Sequence, residues 1–127
     1  MPPSVLLVED DANARAALER ILEGQGCSVL ACRTGEEALA RLAEGEPDLL
    51  LTDIVLPGAA DGMEVFRRAR DLRPGCVTIL MTAHGTVERA VAAMKEGAFD
   101  FLEKPLRTEQ MRVVVEKALA HKRLVAE

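Results

Sequence analysis

Two hydrophobic periods alternate along the chain. Five short apolar runs are each stopped by polar or turn-forming residues, and between them lie longer stretches whose apolar positions recur every three or four residues. The runs read as buried strands and the stretches as amphipathic helices. Ser4 to Val8 is a Val- and Leu-rich run that stops at Glu9-Asp10-Asp11. Ala12, Ala16, Ala17, Ile21 and Leu22 then fall at helical spacing, with Arg15, Glu19, Arg20 and Glu23 filling much of the opposite side and Gly24 and Gly26 marking the end. Asp11 is the expected N-cap, since its carboxylate suits the free N–H groups of a first turn. Ser28 to Cys32 is a second strand. Thr34-Gly35-Glu36-Glu37 has the form of a capping box, opening a helix that buries Ala38, Leu39 and Leu42 before Gly45-Glu46-Pro47.

The stretch from Asp48 to Gly58 runs a continuous Leu segment into Asp53 and then into a Pro57-Gly58 turn. Such a run without alternation is the pattern of a strand covered on both faces. Gly62 to Leu72 is a third helix with Val65, Phe66, Ala69 and Leu72 on its expected inner face, ended by Arg73-Pro74-Gly75. Cys76 to Met81 is a fourth strand, halted at Thr82-Ala83-His84-Gly85, and the helix after it is expected to bury Val87, Ala90, Val91 and Met94. Phe99 to Leu102 is a short fifth strand, cut off by Lys104-Pro105. From Thr108 onward, Met111, Val114, Val115, Ala118 and Leu119 mark a last amphipathic helix that can run on through Leu124 and Val125.

Five strands alternating with five helices through short connections predict an α/β fold, a single doubly wound parallel sheet with helices on both faces and right-handed crossovers. The C-terminal ends of such strands share one edge, where ligands bind. Glu9, Asp10, Asp53, Thr82 and Lys104 are stationed there.

Composition narrows the classes of function. At 127 residues, with 49% hydrophobic and 29% charged positions, the chain suits one globular domain with a real core. A net charge of -5, a pI of 5.1 and the absence of Trp and Tyr exclude a nucleic-acid grip, which needs a basic surface and stacking platforms. No apolar run approaches the roughly 18 residues of a membrane span, and Met1-Pro2-Pro3-Ser4 does not form a secretory leader, so a cytoplasmic protein is expected. Cys27, Cys32 and Cys76 lie in apolar contexts without metal-ligand spacing and are expected to be buried reduced thiols.

Taken singly, Asp53 is either a nucleophile or a turn starter, and Glu9-Asp10-Asp11 is either a ligand set or a solvated turn. Their shared edge is what makes chemistry. Carboxylates ~4 Å apart repel by up to about 4 kcal/mol per pair at an effective dielectric of about 20, so the group calls for a cation. A few hard oxygen ligands suit Mg²⁺, or Mn²⁺ in its place, whereas zinc would want His or Cys. A carboxylate facing a metal-held phosphoryl donor can attack phosphorus, and Lys104 and the Thr82 hydroxyl can then meet the phosphoryl oxygens.

Val8-Glu9-Asp10-Asp11, Thr52-Asp53-Ile54-Val55-Leu56-Pro57-Gly58, Met81-Thr82-Ala83 and Glu103-Lys104-Pro105 together resemble the receiver domain of two-component response regulators, over Val5 to about Leu119. The run from Met81 to Val91, continuing from Met94 through Phe101, is most similar to receivers of the NtrC type. The resemblance implies a flavodoxin-like sheet in the order 2-1-3-4-5. It implies a metal held by Glu9, Asp10, Asp53 and the Val55 carbonyl, a phosphoryl group taken onto Asp53 from a sensor histidine kinase, and Thr82 and Lys104 on its oxygens. Thr82 and Phe101 are the implied switch. They would couple the site to the face of the fourth helix, fifth strand and fifth helix, which, or else an extended fifth helix, is the expected homodimer surface. Val55 and His84 occupy the two positions best placed to aim a hydrolytic water, and Val55 cannot hydrogen-bond one.

Three departures stand out from the family pattern. Glu9 replaces the commoner Asp, the turn from Pro57 to Gly62 is one residue longer than usual, and Leu106 stands where Phe is frequent. A phosphatase of the haloacid-dehalogenase type could use the same acids, but it would carry a second Asp where this chain has Val55. A flavodoxin-like cofactor module would want aromatic cover for a flavin. The last helix ends in Leu124-Val125-Ala126-Glu127 without a stop signal, so the chain is expected to be the N-terminal part of a longer transcriptional regulator rather than a stand-alone relay receiver.

Overall fold

A computed structural model describes residues 1–83 and 85–126, the side chains of 125 and 126 excepted. The elements alternate as the sequence predicts: β1 (Ser4–Val8), α1 (Ala12–Gly24), β2 (Ser28–Cys32), α2 (Gly35–Glu44), β3 (Leu49–Asp53), α3 (Gly62–Leu72), β4 (Val77–Thr82), α4 (Val87–Lys95), β5 (Asp100–Glu103) and α5 (Thr108–Ala126). The strands form one parallel sheet in the order β2-β1-β3-β4-β5. The caps form as expected: Asp11 accepts from the Ala14 N–H at 2.8 Å and Thr34 from the Glu37 N–H at 3.2 Å.

Alternate residues of the central strands feed opposite layers. Val5, Leu7, Leu49, Leu51, Ile79 and Met81 pack with Leu18 and Leu22 of α1 and with Met111, Val115 and Ala118 of α5. Leu6, Val8 and Leu50 pack with Ala38 and Leu42 of α2 and Val65 and Ala69 of α3, and Leu80 meets Phe66 and Ala90. Leu49 through Asp53 are all buried, as a strand covered on both faces must be.

Two helices, α1 and α4, are rotated from their expected orientation, and α3, with Val65, Phe66 and Ala69 buried as expected, differs at one position. In α1 the buried residues are Leu18 and Leu22, with Ile21 half-buried, while Ala12, Ala16 and Ala17 are exposed. Larger side chains remove more apolar area from water, so the Leu stripe sets the rotation. Leu72 of α3 is exposed and Met63 buried in its stead. On α4 the buried residues are Ala90 and Ala93, Val87 is half-buried, and Val91 and Met94 remain 44% and 36% exposed. Cys27 and Cys32 are buried and Cys76 is half-buried, and burial raises the Cys32 and Cys76 thiols to about 11 and about 12.

Candidate functional site

Strand order places the site. β1 and β3 are neighbours at the point where the chain turns to opposite sides, and their register sets Val8 beside Thr52, so the next residues, Glu9 and Asp53, leave the sheet side by side. Asp53 closes β3, and the Ile54 N–H donates to the Met81 carbonyl at 2.9 Å. Lys104 arrives from the far edge: its N–H donates to the Thr82 carbonyl at 2.8 Å, one step beyond the Thr82–Glu103 pair.

The side chains converge. Lys104 Nζ donates to Glu9 Oε1 at 2.8 Å and to Asp53 Oδ2 at 2.6 Å. Glu9 and Asp53 are buried, Asp10 is exposed, and a carboxylate oxygen from each of the three lies within 4.8 Å of the others. One ammonium thus faces three carboxylates, and the imbalance divides unequally. Burial pushes Asp53 up to about 6, with the Glu9 charge adding to the rise and Lys104 opposing it. Burial also works against the Glu9 charge, but Lys104 and the Asp11 N–H at 3.1 Å outweigh it and hold Glu9 below the ordinary carboxylate range. Lys104, although half-buried, is held above its usual value by the same two partners. Among the described residues the donor set contains only carboxylate oxygen, with no thiolate or imidazole, and it carries more negative charge than its own cation neutralises. Such a cluster could bind a metal ion, and hard oxygen donors suit a hard cation.

Thr82 and Phe101 have their side chains engaged with other partners. The Thr82 hydroxyl points into the β4–α4 loop, bonded to the Thr86 hydroxyl and, at 3.2 Å, to the Ala83 carbonyl. Phe101 is half-buried against the layer of Ile54, Phe66, Leu80 and Ala90. Val55 is 56% exposed beside the acids. His84 lies outside the described residues.

Support comes from residues that pattern alone did not single out. A Cβ on Gly62 would fall 1.8 Å from the Asp53 carbonyl oxygen, and the Gly62 N–H donates to the Ile54 carbonyl at 2.8 Å, so only glycine lets α3 start directly against the end of β3. The turn from Pro57 to Gly62 is anchored to α2: Ala60 is buried against Gly35, and its N–H donates to Glu36 Oε1 at 3.3 Å. Arg15, expected on the solvent side of α1, bends back instead, and its Nη1 donates to the Glu9 carbonyl at 2.9 Å and the Asp10 carbonyl at 3.4 Å. A groove of about 340 Å³ opens beside Lys104, between α1 and the β5–α5 connection, lined by Glu9, Ala17, Ile21, Lys104, Pro105 and Leu106.

Residues 5–116 match the family described as the response regulator receiver domain, and the chain belongs to it: a phosphorylation-dependent signalling switch of two-component systems rather than a classical enzyme. The chain is 40% identical over 117 residues to the DNA-binding transcriptional regulator NtrC of Salmonella typhimurium, covering 92% of this chain and 25% of that protein. To the nitrogen assimilation regulatory protein NtrX of Azorhizobium caulinodans it is 36% identical over 125 residues, covering 98% and 28%. Among solved structures, a response regulator receiver domain protein from Clostridium thermocellum superposes with a TM-score of 0.90 at 29% identity, over 97% of this chain and 98% of that one. NtrX from Brucella abortus in complex with ADP superposes with a TM-score of 0.91 at 30% identity, over 99% and 29%. The chain therefore spans about a quarter of the length of the curated relatives it matches.

Proposed function

We propose that Asp53 is the phosphoacceptor. Its carboxylate attacks the phosphorus of a phosphohistidine on a sensor histidine kinase, so that a P–O bond forms as the P–N bond breaks and the imidazole leaves. The observation that carries this is Lys104 spanning Asp53 and Glu9, with Asp10 within ligand distance of both. Glu9, Asp10, Asp53 and the Val55 carbonyl would hold Mg²⁺, or Mn²⁺ in its place. When bound, the ion neutralises charge as the phosphoryl group arrives. Lys104 then turns from its carboxylate partners to a phosphoryl oxygen, and the Thr82 hydroxyl exchanges its loop partners for another.

The same chemistry makes the domain a self-phosphorylating module that also accepts small phosphodonors and loses its phosphate by hydrolysis. Output follows from Thr82 and Phe101 to the face of α4, β5 and α5; Val91 and Met94 of α4 and Val113 of α5 leave apolar surface in solvent. That face, or an extended α5, serves receiver pairing. The regulated output is transcription, as the names of the relatives suggest, exerted in the cytoplasm through domains beyond this one. Among the described residues no helix is long and apolar enough to cross a membrane. The deciding experiment adds Mg²⁺ with acetyl phosphate or beryllofluoride to wild type and to Asp53→Asn. Wild type is expected to be modified and to assemble in a Mg²⁺-dependent way, and a response that survives in Asp53→Asn would overturn the assignment.

A further inference from the structure

We propose that Arg15 is a positioning residue for the acidic site: by holding the backbone carbonyls of both Glu9 and Asp10, it aims the exposed Asp10 carboxylate at the metal position. The inference rests on the metal-assisted phosphoacceptor role given above to the same cluster.

The three acids are not held alike. Glu9 and Asp53 are buried, and Lys104 bonds to both. Asp10 is exposed, so burial does not fix its side chain, and the backbone that carries it sets the direction in which that side chain starts. That backbone has just left the sheet: the Glu9 N–H still pairs with the Cys32 carbonyl at 3.0 Å, and β1 has ended. Past that point the ladder no longer fixes the carbonyls, and Arg15 takes over. Its Nη1 reaches the carbonyl of Glu9 at 2.9 Å and that of Asp10 at 3.4 Å, which are the two peptide groups flanking the Asp10 Cα. With both peptides pinned by one rigid, permanently charged group, the Cα–Cβ bond of Asp10 has one bearing.

The fit to α1 is equally specific. Asp11 caps the helix, the Arg15 N–H donates to the Asp11 carbonyl at 2.9 Å, and the side chain folds back over that same first turn. Arg15 therefore links three consecutive acids: Asp11 by its backbone, Glu9 and Asp10 by its guanidinium. Groups that orient ligands from outside the coordination sphere typically contribute 10- to 100-fold to metal affinity.

The test is the Mg²⁺ affinity of Arg15→Ala, Arg15→Gln and Arg15→Lys, measured by calorimetric titration and by the rise in melting temperature with added Mg²⁺. Phosphorylation by acetyl phosphate is followed at limiting and saturating Mg²⁺ as a second readout. Arg15→Ala should bind Mg²⁺ roughly 10- to 100-fold more weakly. Its phosphorylation should be slow at limiting metal and close to wild type at saturation. Arg15→Lys, which keeps a charged donor, should recover part of the affinity, and Arg15→Gln should fall between. Arg15→Ala that melts lower in EDTA yet binds Mg²⁺ as tightly as wild type would reduce Arg15 to a helix-stabilising residue and overturn the proposal. Should Arg15→Ala not fold, equal affinities in wild type, Arg15→Lys and Arg15→Gln would overturn it as well. Wild type that binds no Mg²⁺ would instead strike at the metal assignment itself, and this inference would fall with it.

Discussion

Asp53, the proposed phosphoacceptor, is a carboxylate that is costly to keep ionised. Its pKa is raised from 3.8 to about 6 because burial disfavours the charge and Glu9 repels it. An acid whose folded pKa is raised lowers stability where it is ionised. That cost is absent below the unfolded value of 3.8 and fully felt once the pH has risen through about 6. Glu9, shifted down, contributes with the opposite sign, but it is present in both wild type and Asp53→Asn and largely cancels between them. In EDTA at pH 7.5, Asp53→Asn should therefore be more stable than wild type by on the order of 1–3 kcal/mol. The difference should shrink as the pH falls through 6 toward 4, as thermal melts across that range would record. Val55 sits exposed beside the acids with no group to orient a water. The phosphorylated protein is accordingly expected to lose its phosphate faster in Val55→Asn than in wild type when the donor is removed, and equal or slower loss would remove Val55 from the account.

Among the elements, α3 and α4 deliver the site's rigidity and its freedom respectively. The start of α3 lies hard against the end of β3 because Gly62 has no Cβ to meet the Asp53 carbonyl. Gly62→Ala must push the two apart and should cost about 1–3 kcal/mol or more, read as a lowered melting temperature, with phosphorylation slowed in parallel. In contrast, α4 buries only two alanines and is fastened to α3 by charge at both ends. Arg89 reaches Asp61 at 2.7 Å near its start, and Glu96 just past its last residue takes Arg67 at 3.0 Å and Arg70 at 2.9 Å. Hydrogen bonds from the two guanidinium groups hold Glu96 down at about 2. Exposed ion pairs weaken in salt, whereas apolar packing does not. Glu96→Gln is expected to speed amide exchange through Val87–Lys95, and high salt should do the same to wild type. Unchanged exchange in Glu96→Gln would mean that Ala90 and Ala93 hold the helix unaided.

At the scale of the whole molecule, the proposed switch requires a charge change at the end of β3 to become a change of surface at α4, β5 and α5. The parts for that are in place: a Thr82 hydroxyl bonded into the loop before α4, a half-buried Phe101 against Ala90, and a helix with little apolar anchorage. Such an arrangement suits two states separated by a few kcal/mol, which a local ligand can bias. Phe101→Ala is expected to take up phosphate from acetyl phosphate as wild type does while losing phosphorylation-driven assembly, followed by mass labelling and light scattering. Loss of uptake with assembly intact would show that Phe101 serves the chemistry instead.

Much of this was legible before any coordinates. Apolar runs of period two or none and stripes of period 3.6 report burial directly, so all five strands, five helices and the caps at Asp11 and Thr34 could be read from order alone. Parallel strands separated by helices must also present their C-terminal ends together, which gathered Glu9, Asp10, Asp53, Thr82 and Lys104 at one edge. Rotation was not legible where an alanine competes with a leucine, as at Ala17 and Leu18, or where Val91 and Met94 match the stripe as well as Ala93 does. Which face turns inward depends on what the neighbouring layer leaves room for. Nor could sequence assign a partner to a flexible cation: Arg15 satisfies the helical pattern equally well in solvent or folded back onto Glu9 and Asp10. That choice is made by two carbonyls left without a ladder where β1 ends, and only the folded backbone brings them within its reach.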